Sequence, residues 1–357
     1  MKEIWENICE SKYILIYGAH ALGRMVYEVL KWHGYTHKVK CFVVTDVSDN
    51  DKKINGLDVV GLHEISFSDD TLVLIATMEK TAEQIEVLLK KRSHKRYIKV
   101  TFFSESWSEI RREYILNLWR ADTKACCCSS KGKTEKKTDV NIFQVCSHKD
   151  KGRPSPVDYS IKLIQAGTQL ADIVCADVVD NIGEHISSKN PMYCELTAIY
   201  WIWKNCSCDI VGVCHYRRVF KNAQFNLNTD VVLPLPIMNT PSVKEQYKND
   251  HSYKEWQVME EVLLELAPEY VKSAKKHFGG IYYFGYNMCI ARKDVFDAYC
   301  EWLFPILFEI EKRCLNKEDE YQNRYIGFLA ERLTSLYFYH NRERLNIAIR
   351  DVDCYVV

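Results

Sequence analysis

Short apolar runs alternate with stretches of helical period through the first 120 residues of the chain. The apolar runs predict buried strands, because each is too short for a helix and contains few polar residues. The predicted strands cover residues 13–17, 39–45, 71–76 and 97–103, and the predicted helices cover 25–32 and 81–91. Strands that alternate with helices predict a parallel sheet with both faces covered.

Residues 121–139 interrupt this pattern with a small, polar, lysine-rich segment that has no hydrophobic period. Such a segment buries too little apolar surface to hold itself in place, so we interpret it as a flexible linker. It separates a module of residues 1–120 from a domain of residues 140–357. Its lysines and cysteines leave open a different role, an acylated basic contact with a membrane surface.

The pattern after the linker predicts a second α/β domain. Predicted strands cover residues 140–146, 209–214 and 231–233, and predicted helices cover 190–204, 255–266, 295–312 and 327–339. A total of 357 residues exceeds what one hydrophobic core usually supports, which agrees with two domains.

Charge and composition narrow the class of protein. Lysine and arginine together number 48, as do aspartate and glutamate, so a broad basic surface for nucleic acid is not expected. No apolar stretch approaches the roughly 18 residues that span a bilayer, and the first residues lack the layout of a signal peptide. We therefore expect a cytoplasmic protein, with peripheral contact at the inner face of the cell membrane left open. The 15 cysteines are odd in number and lie largely in apolar runs, which favours reduced thiols.

A glycine turn follows the first predicted strand. Gly18 and Gly23 occupy the first and third positions of a dinucleotide-binding fingerprint, and the turn opens a helix as that fingerprint requires. The second position is His20, whose side chain would fill space that a diphosphate needs. The module resembles the small Rossmann-like modules at the front of several sugar-modifying enzymes, and Gly18 and Gly23 indicate a cofactor site only weakly. We do not expect NAD to bind.

Several polar residues end the predicted strand 209–214. The segment His215-Tyr216-Arg217-Arg218 places hydrogen-bond donors at the carboxyl edge of a sheet, where ligands of open α/β folds collect. Guanidinium groups match phosphate oxygens bidentately, so a diphosphate site is one interpretation and surface ion pairs are the other. Because neighbouring strand residues face opposite ways, we expect only one arginine to enter the site.

Glu195, Asn181 and Asn190 are the other unusual polar residues of this region. Glu195 lies on an aromatic-rich helix, where a carboxylate is costly unless it is paired, and an arginine of the 215–218 segment is the expected partner. Asn181 and Asn190 suit sugar hydroxyls, and they equally suit turns and helix ends.

The order of sequence blocks in the second domain resembles a bacterial family of capsular-polysaccharide synthesis glycosyltransferases. The blocks include VCSHKDK, DNIGEHISSKNPMYCELTAIYWIWKN, GVCHYRRVF, YNMCIARKDVF and YIGFLAERL, and the resemblance runs from about residue 141 to residue 351. It implies a GT-A-like fold and transfer of a sugar from a UDP-sugar to a surface glycan or a lipid-linked oligosaccharide. Some members of the family are associated with galactofuranose transfer.

The resemblance also suggests roles for individual residues. GT-A enzymes hold a divalent metal such as manganese or magnesium with an Asp-x-Asp motif, where this chain has His215, Tyr216 and Arg217. Either the 215–218 segment replaces the metal in part or whole, or His215 binds a metal together with Asp230. By the same analogy Glu331 is the catalytic base, Arg332 is its charge partner and Asn287 contacts the sugar. A polar stripe on an amphipathic helix is the alternative for Glu331 and Arg332. Ser147, His148 and Lys149 are expected at the nucleoside.

The expected function is therefore a glycosyltransferase, most simply an inverting hexosyltransferase. Two other functions stay open at this stage: an NAD-dependent nucleotide-sugar oxidoreductase or epimerase, and a non-catalytic scaffold of a polysaccharide synthesis complex. Donor sugar, acceptor, linkage and oligomeric state do not follow from the sequence.

Overall fold

The computed structural model describes residues 2–123, 138–150, 161–221, 229–314 and 317–354. Most of the predicted linker 121–139 lies outside the described residues. One compact unit comprises Met1–Asp122 and Met238–Thr240, and the other comprises Thr123–Ile237 and Pro241–Val357. Both are built from helices and parallel-rich sheets, so the predicted two-domain α/β class is confirmed.

The first unit is a layered α/β structure. Its helices are α1 (Lys2–Glu10), α2 (Ala21–Trp32), α3 (Glu79–Lys91) and α4 (Glu105–Asp122). Its strands are β1 (Tyr13–Tyr17), β2 (Val39–Val44), β3 (Lys53–Ile54), β4 (Leu57–Gly61), β5 (Thr71–Ile75) and β6 (Tyr97–Lys99). Among the described residues the sheet has the strand order β3-β4-β2-β1-β5-β6, and every pairing is parallel except that of β3 with β4.

Gly18 and Gly23 allow α2 to pack closely against the sheet. Gly18 adopts φ +127°, and a Cβ there would overlap the carbonyl oxygen of Ala76 beyond β5. A Cβ at Gly23 would overlap the carbonyl oxygen of Gly18. Both glycines are thus required by the protein's own backbone, whether or not a nucleotide binds. His20, at the N-cap of α2, is exposed and makes no side-chain capping bond.

In the described part of the chain the second unit has seven α-helices. They are α5 (Asn190–Tyr193), α6 (Leu196–Asn205), α7 (Val243–Asp250), α8 (Tyr253–Leu266), α9 (Val271–Phe278), α10 (Lys293–Arg313) and α11 (Tyr325–Asn341). The strands that follow β6 in the chain are β7 (Val140–Cys146), β8 (Ile161–Gln165), β9 (Val178–Val179), β10 (Ile210–Cys214), β11 (Arg218–Phe220), β12 (Val231–Pro234), β13 (Ile237–Met238), β14 (Tyr282–Tyr283), β15 (Cys289–Arg292), β16 (Ile347–Arg350) and β17 (Val352–Cys354).

The main sheet of this unit is mixed. In the described part of the chain its order is β16-β12-β15-β10-β7-β8-β9. Strands β7, β8, β9 and β10 are parallel, while β15 runs antiparallel to both β10 and β12. The fully buried β10 lies at the centre because it is apolar on both faces, as the sequence predicts for an interior strand. The carboxyl ends of β7 to β10 therefore share one edge of the sheet.

Two predicted elements are shorter than the sequence pattern suggests. The helix predicted over 190–204 is interrupted between α5 and α6, where Cys194 adopts φ +50°. The strand predicted over 97–103 stops at Lys99, because the chain turns through Thr101 and Ser104 into α4. No helix in the described ranges is long and apolar enough to cross a membrane.

Candidate active site

A tight turn follows β10 at the carboxyl edge of the sheet. β10 ends at Cys214, and the backbone N–H of Arg218 donates to the carbonyl of His215 at 3.1 Å. The buried amide of Gln144, on neighbouring β7, donates to the carbonyl oxygens of His215 (3.3 Å) and Tyr216 (3.1 Å). These bonds fix the four-residue turn 215–218 above the ends of two parallel strands.

His215 is held in one neutral tautomer. Its Nδ1 lies 3.3 Å from the backbone nitrogen of Arg217 and 3.2 Å from a terminal nitrogen of Arg218. Both groups only donate, so Nδ1 accepts and the proton resides on Nε2. Burial, and then the positive charges of Arg218, Arg217 and Arg324, lower the pKa of His215 well below its usual value of 6.5. The described residues form no hydrogen bond with Nε2.

Both arginines of the turn contribute to this edge. The Arg217 guanidinium lies 4.6 Å from the ring centroid of Tyr216, and that of Arg218 lies 3.9 Å from the ring centroid of Tyr286. The Nε of Arg217 is buried and has no hydrogen-bond partner in the described part of the chain. Because the chain turns after β10 instead of continuing as a strand, the alternation of side chains on which the single-arginine expectation rests does not apply to residues 215–218.

Glu195 joins the site through Asn287 and not through the turn, so the arginine partner expected from the sequence is wrong. The side-chain amide of Asn287 donates to Oε1 of Glu195 at 2.8 Å. The Asn287 carbonyl accepts in turn from Thr334 at 3.2 Å, and Thr334 exchanges a 2.7 Å hydrogen bond with Tyr299. Burial raises the pKa of Glu195, and the hydrogen bond from Asn287 partly opposes that rise. The carboxylate is therefore oriented and made more basic than an exposed one.

Backbone strain is concentrated around these residues. Cys194, Tyr286 and Asn287 adopt φ values of +50°, +71° and +48°. Left-handed conformations are uncommon outside glycine, and strained positions of this kind cluster at functional sites. Here they aim the Tyr286 ring under Arg218 and the Asn287 amide at Glu195.

Glu331 is fixed through both of its carboxylate oxygens. Oε1 accepts from the backbone N–H of Tyr286 at 2.7 Å, and Oε2 accepts from Arg332 at 2.9 Å. Arg332 is 3% exposed and lies between the rings of Tyr283 (4.5 Å) and Tyr247 (5.4 Å). The alternative for Glu331 and Arg332, a solvated polar stripe on an amphipathic helix, is thus wrong, since α11 is buried on nearly every side. Glu331 holds the strained Tyr286 backbone in place.

Arg324 was not identified from the sequence. It lies just before α11 and is exposed, and its Nε donates to the sulfur of Cys194 at 3.1 Å. Its charge acts on His215 and on Glu195. The only signal in the sequence was its position directly before the block YIGFLAERL, because Cys194 lies 130 positions away.

Ser147, His148 and Lys149 follow β7 and lie at the same edge of the sheet as the turn 215–218. Ser147 donates its backbone N–H to the Asp150 carboxylate at 2.6 Å, and its hydroxyl accepts from the backbone of Lys149 at 3.1 Å. His148 and Lys149 are exposed. Their assignment to a nucleoside stays a prediction.

The Asn181 region is held by a carboxylate that sequence reasoning overlooked. Asp180 is fully buried and accepts from the backbone of Gly167 (2.8 Å) and from the hydroxyl of Ser187 (2.6 Å). Asn181 follows Asp180 beyond the end of β9, half-buried. Asn190 donates to the carbonyl of Cys194 at 2.8 Å, so it braces the interruption between α5 and α6. Asn190 therefore has a structural partner, as one of its two interpretations proposed.

Asp230 lies at the wrong edge of the sheet to share a metal ion with His215. It pairs with Arg292 at 3.0 Å, and Arg292 faces Ile210 at the start of β10. The length of β10, about 13 Å at ~3.3 Å per residue, separates that position from the turn 215–218. The proposed pairing of His215 with Asp230 is therefore wrong.

The side chains at this edge do not fit a divalent metal. No group of three His, Cys, Asp or Glu side chains suited to a metal ion occurs among the residues that the structure describes. The three guanidinium groups that act on His215 would also repel a cation. We therefore derive no catalytic step through a metal.

Comparisons with known proteins agree with this fold. Residues 142–342, more than half of the chain, match the family model described as a domain of unknown function, DUF4422. The chain belongs to this family. This DUF4422 protein is also similar to the apo structure of WbbM, a bifunctional glycosyltransferase, with a TM-score of 0.55 and 26% identity. The match covers 61% of this chain and 46% of the WbbM chain, and no curated protein matches.

The similarity supports the glycosyltransferase resemblance at the level of the family and fold. The DUF4422 segment contains the turn 215–218 together with Glu195, Asn287 and Arg324. The chain spans less than half of the WbbM chain that it matches.

Proposed function

We propose that this DUF4422 protein is a glycosyltransferase that moves a hexose from a UDP-sugar to a growing surface or capsular glycan. The observation that carries the proposal is the arginine-rich turn 215–218 at the carboxyl edge of the main sheet, with the Arg217 Nε buried and unpartnered among the described residues. The similarity to a bifunctional glycosyltransferase supports the reaction class. Galactofuranose is one hexose that the family resemblance favours.

The turn suits the leaving group of this reaction. As the bond between the anomeric carbon and the diphosphate oxygen breaks, its electron pair moves to the diphosphate, which gains negative charge. Arg217 and Arg218 offer guanidinium groups to that charge, and neutral His215 offers the N–H of Nε2. Fixed donors aimed at developing charge lower the barrier without reorganisation during the reaction.

A carboxylate base removes the proton from the acceptor hydroxyl as its oxygen attacks the anomeric carbon. The structure favours Glu195 over Glu331 for this role. Both oxygens of Glu331 are engaged, Oε1 by the backbone N–H of Tyr286 and Oε2 by Arg332. Glu195 accepts from Asn287 through Oε1, and burial raises its pKa above the ordinary carboxyl value, which makes its carboxylate a stronger base. Glu331 then acts indirectly, by positioning Tyr286.

A panel of nucleotide sugars tests this function directly. The purified full chain is incubated with UDP-hexoses and glycan acceptors, with added manganese, magnesium or chelator, and release of UDP is measured. We expect release that depends on the acceptor. Binding of NAD without binding of UDP would instead indicate the oxidoreductase, and UDP binding without turnover for any donor would indicate the scaffold.

A further inference from the structure

Arg324 presents an exposed guanidinium beside the turn 215–218. Its Nε is held by the sulfur of Cys194 at 3.1 Å, and its guanidinium carbon lies 5.6 Å from the ring centroid of Phe328 and 6.0 Å from that of Tyr321. These contacts restrict the side chain while leaving its terminal nitrogens without a partner among the described residues. An exposed arginine whose side chain is already restricted loses less conformational entropy when it binds a ligand.

The charge of Arg324 is not neutralised by an ion pair in the described part of the chain. Arg313, by contrast, is neutralised by two ion pairs, one with Glu265 (2.6 Å) and one with Glu309 (3.0 Å). Arg324 has a thiol in the corresponding place, and burial raises the pKa of Cys194 to about 12. The thiol therefore stays uncharged at neutral pH and accepts a hydrogen bond without cancelling the positive charge.

The backbone places Cys194 for this contact. With φ +50°, Cys194 interrupts the helical conformation between α5 and α6. Gly327, in the first turn of α11, lies so close that an added Cβ would be 3.1 Å from the Cys194 sulfur. The sulfur thus fills the space beside the N-terminal turn of the 17-residue helix α11, directly under Arg324.

Arg324 acts on the same groups as the turn. Its positive charge adds to those of Arg217 and Arg218 at His215, and all three also act on Tyr216. The charges of three guanidinium groups thus act on one short stretch of the sheet edge, from two segments that are distant in the sequence. This arrangement suits a ligand with more than one negative charge.

We infer that Arg324, held by Cys194, binds the diphosphate of the donor nucleotide together with Arg217 and Arg218. The inference rests on the proposed function and adds to it a residue that reaches the ligand from the start of α11. Guanidinium groups from two segments of the chain would bind the two phosphates bidentately and would stabilise the departing UDP as charge develops on it.

Isothermal titration of the full chain with UDP and with uridine tests the inference. We expect Arg324→Gln to weaken UDP binding by roughly tenfold to a hundredfold, as loss of a charge-assisted hydrogen bond predicts. Uridine lacks phosphate, so its affinity should be unchanged. Arg313→Gln is the matched control, because it removes a guanidinium that carboxylates already neutralise, and it should leave UDP binding unaltered.

Two further variants separate the charge of Arg324 from its geometry. Arg324→Lys keeps the charge but not the planar fork and should show an intermediate loss. Cys194→Ser keeps a small neutral acceptor and should bind UDP nearly as the unaltered protein does.

The outcomes of these titrations distinguish the inference from the proposed function. If the unaltered protein and Arg324→Gln bind UDP equally, the inference is overturned and the proposed function stands. If the unaltered protein does not bind UDP, both fail. An equal loss of uridine and UDP affinity in Arg324→Gln would assign Arg324 to the nucleoside or to the fold, and would also overturn the inference.

Discussion

The amide of Asn287 donates a 2.8 Å hydrogen bond to Glu195 across 92 positions of the sequence. Asn287 sits in a left-handed backbone conformation next to Tyr286, whose ring lies against Arg218. One strained dipeptide therefore connects the candidate base to the arginines of the turn 215–218. The same dipeptide would thus position both the base for the acceptor hydroxyl and an arginine for the departing diphosphate.

The pH dependence of activity should report on this hydrogen bond. Burial raises the pKa of Glu195 and the Asn287 amide lowers it, so removal of the amide raises it further. A base works only when deprotonated, and activity is therefore lost as the pH falls through this pKa. We expect Asn287→Ala to move the acid limb of the kcat/KM profile to higher pH. Thr334→Val, which removes the bonds of Thr334 to Asn287 and to Tyr299 but none to Glu195, should move it much less.

The roles of the two glutamates can be separated by amide substitution. Glu195→Gln should lower kcat by roughly a hundredfold or more while UDP affinity is retained, because glutamine cannot take the proton. Glu331→Gln should lower kcat less, since glutamine can still accept from the Tyr286 backbone. Steady-state kinetics and UDP titration of both variants provide the measurement. The reverse order of losses would return the role of base to Glu331.

The affinity for UDP should not change with pH in the way expected if His215 had the pKa of an exposed histidine. The pKa of His215 lies well below 6.5, so the ring stays neutral and its contribution should be constant between pH 6 and pH 8. We expect His215→Gln, which keeps an amide N–H near the position of Nε2, to bind UDP better than His215→Asn. The shorter asparagine side chain can replace the acceptor at Nδ1 but does not reach the position of Nε2. A twofold or larger rise in the affinity of the unaltered protein at pH 6 would indicate a protonated ring.

Removal of both arginines of the turn should weaken UDP binding strongly. Each charge-assisted hydrogen bond contributes roughly 1.5–3 kcal/mol, so we expect Arg217→Ala with Arg218→Ala to cost more than either alone. The effect should diminish as salt concentration rises, because salt screens the interaction. Calorimetric titration at two ionic strengths checks both statements. Affinity that is unchanged in the double variant would remove the turn from the binding site.

The first unit offers a prediction about stability. Gly23→Ala should lower the free energy of unfolding by about 3 kcal/mol or more, because its Cβ would overlap the Gly18 carbonyl. Gly34 has φ +81° but open space around it, so Gly34→Ala should cost only about 1 kcal/mol of backbone strain. Thermal or urea unfolding of the two variants measures the difference. Equal losses would show that α2 can move away from the turn.

The local pattern of the chain was sufficient for most of the fold. Residues 13–17 and 140–146 are the strands that their apolar runs predict, and the predicted helices 255–266 and 295–312 form with slightly extended ends. These elements are dictated by the periodicity of neighbouring residues. The interruption at Cys194 could not be predicted this way, since no glycine or proline marks it.

The sequence by itself determined which chemistry gathers at the edge of the main sheet. An apolar strand that ends in His215, Tyr216, Arg217 and Arg218 must present those groups at the edge, because the residues are adjacent in the chain. Only the tertiary structure decided the partners. It joins Glu195 to Asn287 and Arg324 to Cys194, and it places Asp230 at the far edge. Contacts between distant segments depend on how helices and strands pack, and residue type and local spacing do not encode that packing.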